Sequence, residues 1–170
     1  MKLAILGGVG AGKSAAAGKI SADCGIRVYP GDEIAHGYAS EDIPNENGRF
    51  RRTPGEESEL IEAVLAEKQW IWEGVYRETQ EIFLEQADRI LLLDTPYAVR
   101  VLYILKRLFL SKLGIRPLPY PTSFIQQIRW TRAYAGEAEV PVPYRDKVIC
   151  VRNRTELDRV RKELCKLTHE

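Results

Sequence analysis

One short stretch restricts the folding of this chain more than any other: Gly7-Gly8-Val9-Gly10-Ala11-Gly12-Lys13-Ser14. It fits the pattern G-x-x-x-x-G-K-[ST]. The apolar run Leu3 to Leu6 precedes it and reads as a buried strand. Lys13 to Ala22 follows, rich in alanine and free of proline, and reads as a helix. Glycines let successive N–H groups turn inward and form an anion nest. The helix starting at Lys13 adds the positive end of its dipole. Lys13 can reach the β- and γ-phosphates of a nucleotide, and the Ser14 hydroxyl can ligate Mg²⁺. Every residue from Gly7 to Ser14 is therefore a candidate nucleotide contact. The loop alone does not separate a kinase from a GTPase or a motor.

The rest of the chain alternates short apolar runs with helical segments. Ile26 to Tyr29 reads as a second strand ended by Pro30-Gly31, and Ser40 to Gly55 is a polar connection. Glu56 to Lys68 carries Leu60, Ile61, Val64 and Leu65 at helical spacing. Trp70 to Gly74 reads as a third strand and Glu78 to Gln86 as a helix. Ile90 to Leu93 forms the heart of a fourth strand, and Val99 to Leu113 a long helix. Gly114 to Pro121 is too rich in proline for regular helix, and Thr122 to Ala135 is helical again. Lys147 to Val151 is a fifth strand, and Thr155 to Leu167 a charged amphipathic helix. The pattern predicts an α/β fold of three layers, a parallel five-stranded sheet between helices. Ligands in such sheets bind at the carboxyl ends of the strands.

Composition narrows the reading. The 170 residues suit a single domain. Hydrophobic residues at 45% and charged residues at 29% argue against disorder and against a membrane bundle. Lys and Arg number 25 against 24 Asp and Glu, so the basic excess of a general nucleic-acid binder is missing. Cys24, Cys150 and Cys165 match no zinc spacing and read as small hydrophobes in a reducing compartment. His36 and His169 show no ligand spacing. Met1 to Leu6 is too short an apolar run for a signal peptide. Charges at Arg100, Lys106, Arg107 and Lys112 interrupt the Val99–Leu113 helix, which is shorter than the ~20 residues of a spanning helix. The expected location is the cytoplasm, with no membrane partner.

A carboxylate at a strand end must complete the magnesium shell. Glu73 and Asp94 both end apolar strands, and by motif appearance Asp94 is the better candidate. Asp32, after the second strand, is either a general base for an acceptor hydroxyl or a helix cap.

The loop Gly7 to Ser14, Asp32, Trp70-Ile71-Trp72-Glu73-Gly74-Val75-Tyr76, Leu91-Leu92-Leu93-Asp94-Thr95-Pro96 and Lys106-Arg107 follow one another in an order that resembles the adenylate-kinase-like P-loop kinases. More narrowly, the order resembles the small predicted kinases known as DNA topology modulation proteins. The resemblance implies the P-loop NTPase fold with sheet order 2-3-1-4-5. The third strand then lies beside the first, and the choice of acid moves from Asp94 to Glu73, acting on Mg²⁺ directly or through water. Related proteins carry Asp-Gly where this chain has Glu73-Gly74. Gly74 would let an acceptor approach the backbone. The resemblance also implies an acceptor-side insert at about 32–68 and a lid at about 100–135 within one domain, 1–170. Lys106-Arg107 falls where lid arginines belong, and Tyr103 stands where related proteins often have an arginine.

Phosphoryl transfer needs cations on the migrating group. Arg107 is the leading one; Arg100, Arg116, Arg129 and Arg132 are further candidates, with Arg129 and Arg132 on the acceptor side. Arg152, after the fifth strand, could stack on adenine. Arg49, Arg51 and Arg52 read first as a solvated run, with an acceptor phosphate as the alternative. Trp70, Trp72 and Tyr76 read as sheet packing. The expectation is an ATP- and Mg²⁺-dependent phosphotransferase for a small-molecule acceptor, a nucleotide among the candidates. Lys13, Asp32 and Arg107 would be its catalytic residues. The alternative is a nucleotide-dependent regulatory or DNA-associated protein. No Asn-Lys-x-Asp sequence supports a GTPase.

Overall fold

The computed structural model describes residues 1–38, 49–115, 124–133 and 140–167. Strand β1 (Lys2–Gly7) runs into the glycine loop, and helix α1 (Lys13–Cys24) leaves it. Strand β2 (Val28–Pro30) leads into the short helix α2 (Gly31–Ala35). The polar insert contains an antiparallel hairpin of β3 (His36–Tyr38) and β4 (Arg49–Arg51), then helix α3 (Pro54–Leu65). Strand β5 (Trp70–Gly74), helix α4 (Ile82–Gln86), strand β6 (Arg89–Leu93) and helix α5 (Tyr97–Lys112) follow. Helix α6 (Phe124–Ala133), strand β7 (Val148–Val151) and helix α7 (Arg154–Leu167) complete the described chain.

The sheet runs β2-β5-β1-β6-β7, with every neighbouring pair parallel. Numbered among themselves, its strands stand in the order 2-3-1-4-5, as the resemblance implies. The labels differ only because the β3–β4 hairpin adds two strands that the sequence pattern did not disclose.

Side chains alternate faces along a strand, and β1 shows what that does. Leu3 and Ile5 face a core shared with Ala16, Ala17 and Ile20 of α1 and Val160 and Leu164 of α7. Ala4 and Leu6 face the opposite core, with Ile61 and Val64 of α3 and Phe83 and Leu84 of α4. The same alternation divides β5. Trp70 and Trp72 point to the α3–α4 side, where Phe83 stacks on Trp72 at 5.3 Å and meets Trp70 edge-on at 5.4 Å. Ile71 points to the α1 side. Glu73 shares that direction, so the strand itself aims its one carboxylate at the helix that follows the loop.

Several boundaries and pairings differ from the sequence expectation, each for a physical reason. Helix α3 begins at Pro54 rather than Glu56, because Thr53 and Glu56 close a capping box around its first turn. It ends at Leu65, short of Lys68. Glu78 to Gln86 is a 3₁₀ turn (Glu78–Gln80) followed by α4 rather than one helix. Strand β2 starts at Val28 rather than Ile26 and takes in Pro30 as its last residue, a position that an edge strand tolerates. Asp32 is not a helix cap: α2 starts at Gly31 with Pro30 at the cap position. Cys24 and Cys165 are not free hydrophobes; they form a disulfide across a sequence separation of 141 residues. Helices α1 and α7 pack side by side and bring the two cysteines to a Cα distance of 5.2 Å, which no local spacing reveals. Cys150 is free and exposed. Among the described residues no helix is long and apolar enough to cross a membrane.

Candidate phosphate-binding site

The loop is built on backbone that side chains resist. Gly10 has φ +80° and Gly12 φ +95°, in the left-handed region. A Cβ on Gly10 would also lie 3.0 Å from the Arg100 carbonyl oxygen and 3.1 Å from the Ile104 side chain. The loop is thus pressed against the first turns of α5. Thr95, after β6, anchors it from the same side by donating its hydroxyl hydrogen to the Ala11 carbonyl at 3.1 Å. Within the loop the Ala11 N–H donates to the Gly8 carbonyl at 3.1 Å.

The Lys13 ammonium folds over this loop and donates to the carbonyl oxygens of Gly7 at 2.8 Å and Gly8 at 3.0 Å. Burial pushes its pKa down from the usual lysine value. The carboxylates of Glu73 and Asp32 oppose that shift, and the guanidiniums of Arg100 and Arg77 add to it. All four groups therefore act on Lys13.

Parallel pairing sets Ile5 opposite Glu73 and Leu6 opposite Gly74. That register brings Glu73 level with the start of α1, and the Ser14 hydroxyl donates to Glu73 Oε1 at 2.8 Å. Glu73 is buried. Burial pushes its pKa up, against the pull of the Lys13 charge and the Ser14 hydrogen bond. A hydroxyl and a carboxylate are hard oxygen donors, the set that Mg²⁺ takes. Asp94, the choice from motif appearance, instead accepts from Arg152 Nε at 3.2 Å near the surface.

Asp32 stands just beyond the end of β2, near enough for its charge to act on Lys13. Its carboxylate pairs with Arg77 at 2.7 Å, and Arg77 reaches the Gly31 carbonyl at 3.4 Å. Arg77 was not singled out from the sequence. It falls three residues past β5 in a stretch with no motif, and only its nearness to Asp32 marks it. Behind this pair lies a buried network that the sequence also hid. Glu57 takes Arg51 at 2.8 Å, Thr79 at 3.1 Å and Gln80 at 3.0 Å. Arg52 donates to the Glu33 carbonyl at 2.6 Å. Arg51 and Arg52 are thus tied to α3 and α2, although the Arg51 side chain stays half exposed. Gly74 closes β5; a Cβ there would meet the Trp72 ring at 2.9 Å.

The remaining cations lie elsewhere. Arg107 donates to Gln127 Oε1 of α6, fastening α5 to α6. Arg129 and Arg132 are exposed on α6, and Arg152 is exposed at the end of β7. Arg116 lies outside the described residues. Arg100 is buried in the first turn of α5, against the loop.

No family model and no curated protein matches this sequence. Solved structures do match. A gluconokinase from Sinorhizobium meliloti is 14% identical with a TM-score of 0.52, covering 98% of this chain and 96% of that one. A sugar kinase from Janibacter sp. is 16% identical, TM-score 0.51, covering 97% and 90%. A shikimate kinase from Acinetobacter baumannii, solved with shikimate, is 15% identical, TM-score 0.51, covering 97% and 90%. At these identities the likeness shows the fold alone, a parallel five-stranded sheet flanked by helices.

Proposed function

We propose that the chain is an ATP- and Mg²⁺-dependent phosphotransferase that acts on a small-molecule acceptor. One observation carries this reading: the bond between Ser14 and Glu73, with Lys13 folded over the same loop. A turn that only joined a strand to a helix would need neither a lysine on its carbonyls nor a buried carboxylate on its first helical hydroxyl. The fold supports the reading, since its neighbours include kinases of gluconate, a sugar and shikimate.

The roles follow from chemistry. The loop N–H groups and Lys13 would hold the phosphates, trading the Gly7 and Gly8 carbonyls for phosphate oxygens. Ser14 and Glu73 would hold Mg²⁺, which supplies charge neutralisation on the phosphate oxygens. Asp32 would take the proton of the acceptor hydroxyl as its oxygen bonds to the γ-phosphorus and ADP leaves. Arg77 holds the Asp32 carboxylate in place. Arg152 is the candidate contact for the base, whereas the room a Cβ would take at Gly74 is filled by the Trp72 ring rather than left to an acceptor. The narrower likeness to the DNA topology modulation proteins rests on the order of the loop, Asp32, Trp70 to Tyr76, Leu91 to Pro96 and Lys106-Arg107.

The experiment is ATP turnover with a panel of hydroxy acids, sugars, nucleosides and nucleotides. Transfer to at least one acceptor is expected, and Lys13→Ala should lower its rate about a hundredfold or more, as loss of a charged transition-state contact does. Full turnover in Lys13→Ala would remove the site assignment; no ATP hydrolysis or transfer with any acceptor would remove the function.

A further inference from the structure

Among the described residues, Arg100 is a buried cation without a counter-ion. Its residue is only 6% exposed, and its Nε is buried without a partner. Among the described residues its side chain makes no hydrogen bond or ion pair; its guanidinium lies over the neighbouring Tyr97 ring, 5.7 Å from the ring centre. Arg107 and Arg161 also bury an Nε that makes no hydrogen bond, but they and other arginines of the molecule reach a partner. Arg77 has Asp32, Arg51 has Glu57, Arg161 has Asp23 and Arg107 has Gln127. A buried charge without a counter-ion is costly, and a guanidinium cannot shed its proton to escape. An arginine kept in that state implies an anion that arrives from outside.

Its position says which anion. Arg100 lies in the first turn of α5, and its carbonyl would be 3.0 Å from a Cβ on Gly10, inside the phosphate loop. Its charge also acts on the Lys13 ammonium. Two cations are therefore held side by side around one loop. The leading lid candidate, Arg107, is two turns further along α5 and already engaged with α6.

We infer that Arg100 is the second fixed cation of the phosphate site and binds the polyphosphate of the nucleotide directly. This rests on the function proposed above and adds a residue to it. A guanidinium in this place presents a planar fork of donors to phosphate oxygens, and Tyr97 limits its rotation from the outer side.

The test uses the full chain, with inorganic tripolyphosphate and Mg²⁺-ATP as probes, read by calorimetric affinity and by thermal unfolding. Arg100→Met keeps the apolar stem and removes the charge. Without ligand it should unfold at or above the wild-type temperature, because it removes an unpaired buried charge. Its affinity for both probes should fall tenfold to about a hundredfold, the range for a charged hydrogen bond. Arg100→Gln is a second neutral variant should the first fail to fold, and the same loss is expected. Wild-type affinity in either variant overturns the inference while leaving the function standing, provided that Lys13→Ala still loses binding. A ligand-free Arg100→Met that is less stable but binds normally also overturns it, since the arginine would then be structural. If the wild-type chain binds neither probe, both readings fall together.

Discussion

At the scale of single residues, the site joins one buried carboxylate, Glu73, to partly exposed groups around the loop. Glu73 illustrates the consequence. Burial first, then the Asp32 and Glu33 carboxylates, hold its pKa above the ordinary carboxylate value against the pull of Lys13 and Ser14. The folded chain therefore holds that proton more tightly than the unfolded chain does. Stability linked to it is present below the ordinary carboxylate range and is lost as pH rises through the folded value. Glu73→Gln keeps the shape of the neutral acid at every pH. Without ligand, this variant should melt above the wild type near neutral pH, with the gap closing as pH falls to about 4, the ordinary glutamate range. A pH series of thermal unfolding checks it, and a constant gap at all pH values would contradict the burial of an ionised Glu73. The variant should also lose Mg²⁺-dependent turnover. The loop itself was readable residue by residue, because its conformation is set by its own glycines. The choice of Glu73 over Asp94 was not, since both end apolar strands and only the sheet order separates them.

Among elements, helix α3 shows how local chemistry fixes a boundary. The Thr53 N–H donates to Glu56 Oε2 at 2.8 Å, and the Thr53 hydroxyl oxygen accepts from the Glu56 N–H at 3.4 Å. Pro54 occupies the first helical position, where its missing N–H costs nothing. Thr53→Ala should lower stability by about 1 kcal/mol, the usual worth of such a cap. Urea unfolding measures it, and no change would mean that α3 is held by its buried face alone. That face, Ile61 and Val64, covers the same core as Trp70 and Trp72. The helical spacing over this segment was plain in the sequence, although the capping pattern that moves its start to Pro54 went unread. The β3–β4 hairpin was hidden for a different reason: its strands are three residues each and polar, too short for an alternating pattern.

For the whole molecule, the long-range closure is covalent. Cys24 ends α1, and Cys165 lies near the end of α7, so the disulfide joins the helix of the phosphate loop to the last helix of the fold. Tying residues so far apart restricts the unfolded chain severely. Reduction should cost about 2–4 kcal/mol of stability, the typical range for a native bridge. Unfolding with and without dithiothreitol measures this. Cys24→Ser should show the same loss and no further response to the reductant. Equal stability in both conditions would mean that the helix packing alone holds the two ends.

Read by itself, the chain specifies the phosphate loop, the strand–helix alternation and the parallel α/β class. Each of these depends on backbone preferences and periodicities that act within a few residues. Tertiary structure decided which acid meets Ser14, across 59 residues, and which cysteines meet, across 141. It also decided that Arg77 joins Asp32 and that Arg100 is buried beside the loop without a counter-charge. Those pairings depend on strand order and helix packing, which bring distant residues to one place while leaving no mark on the residues around them.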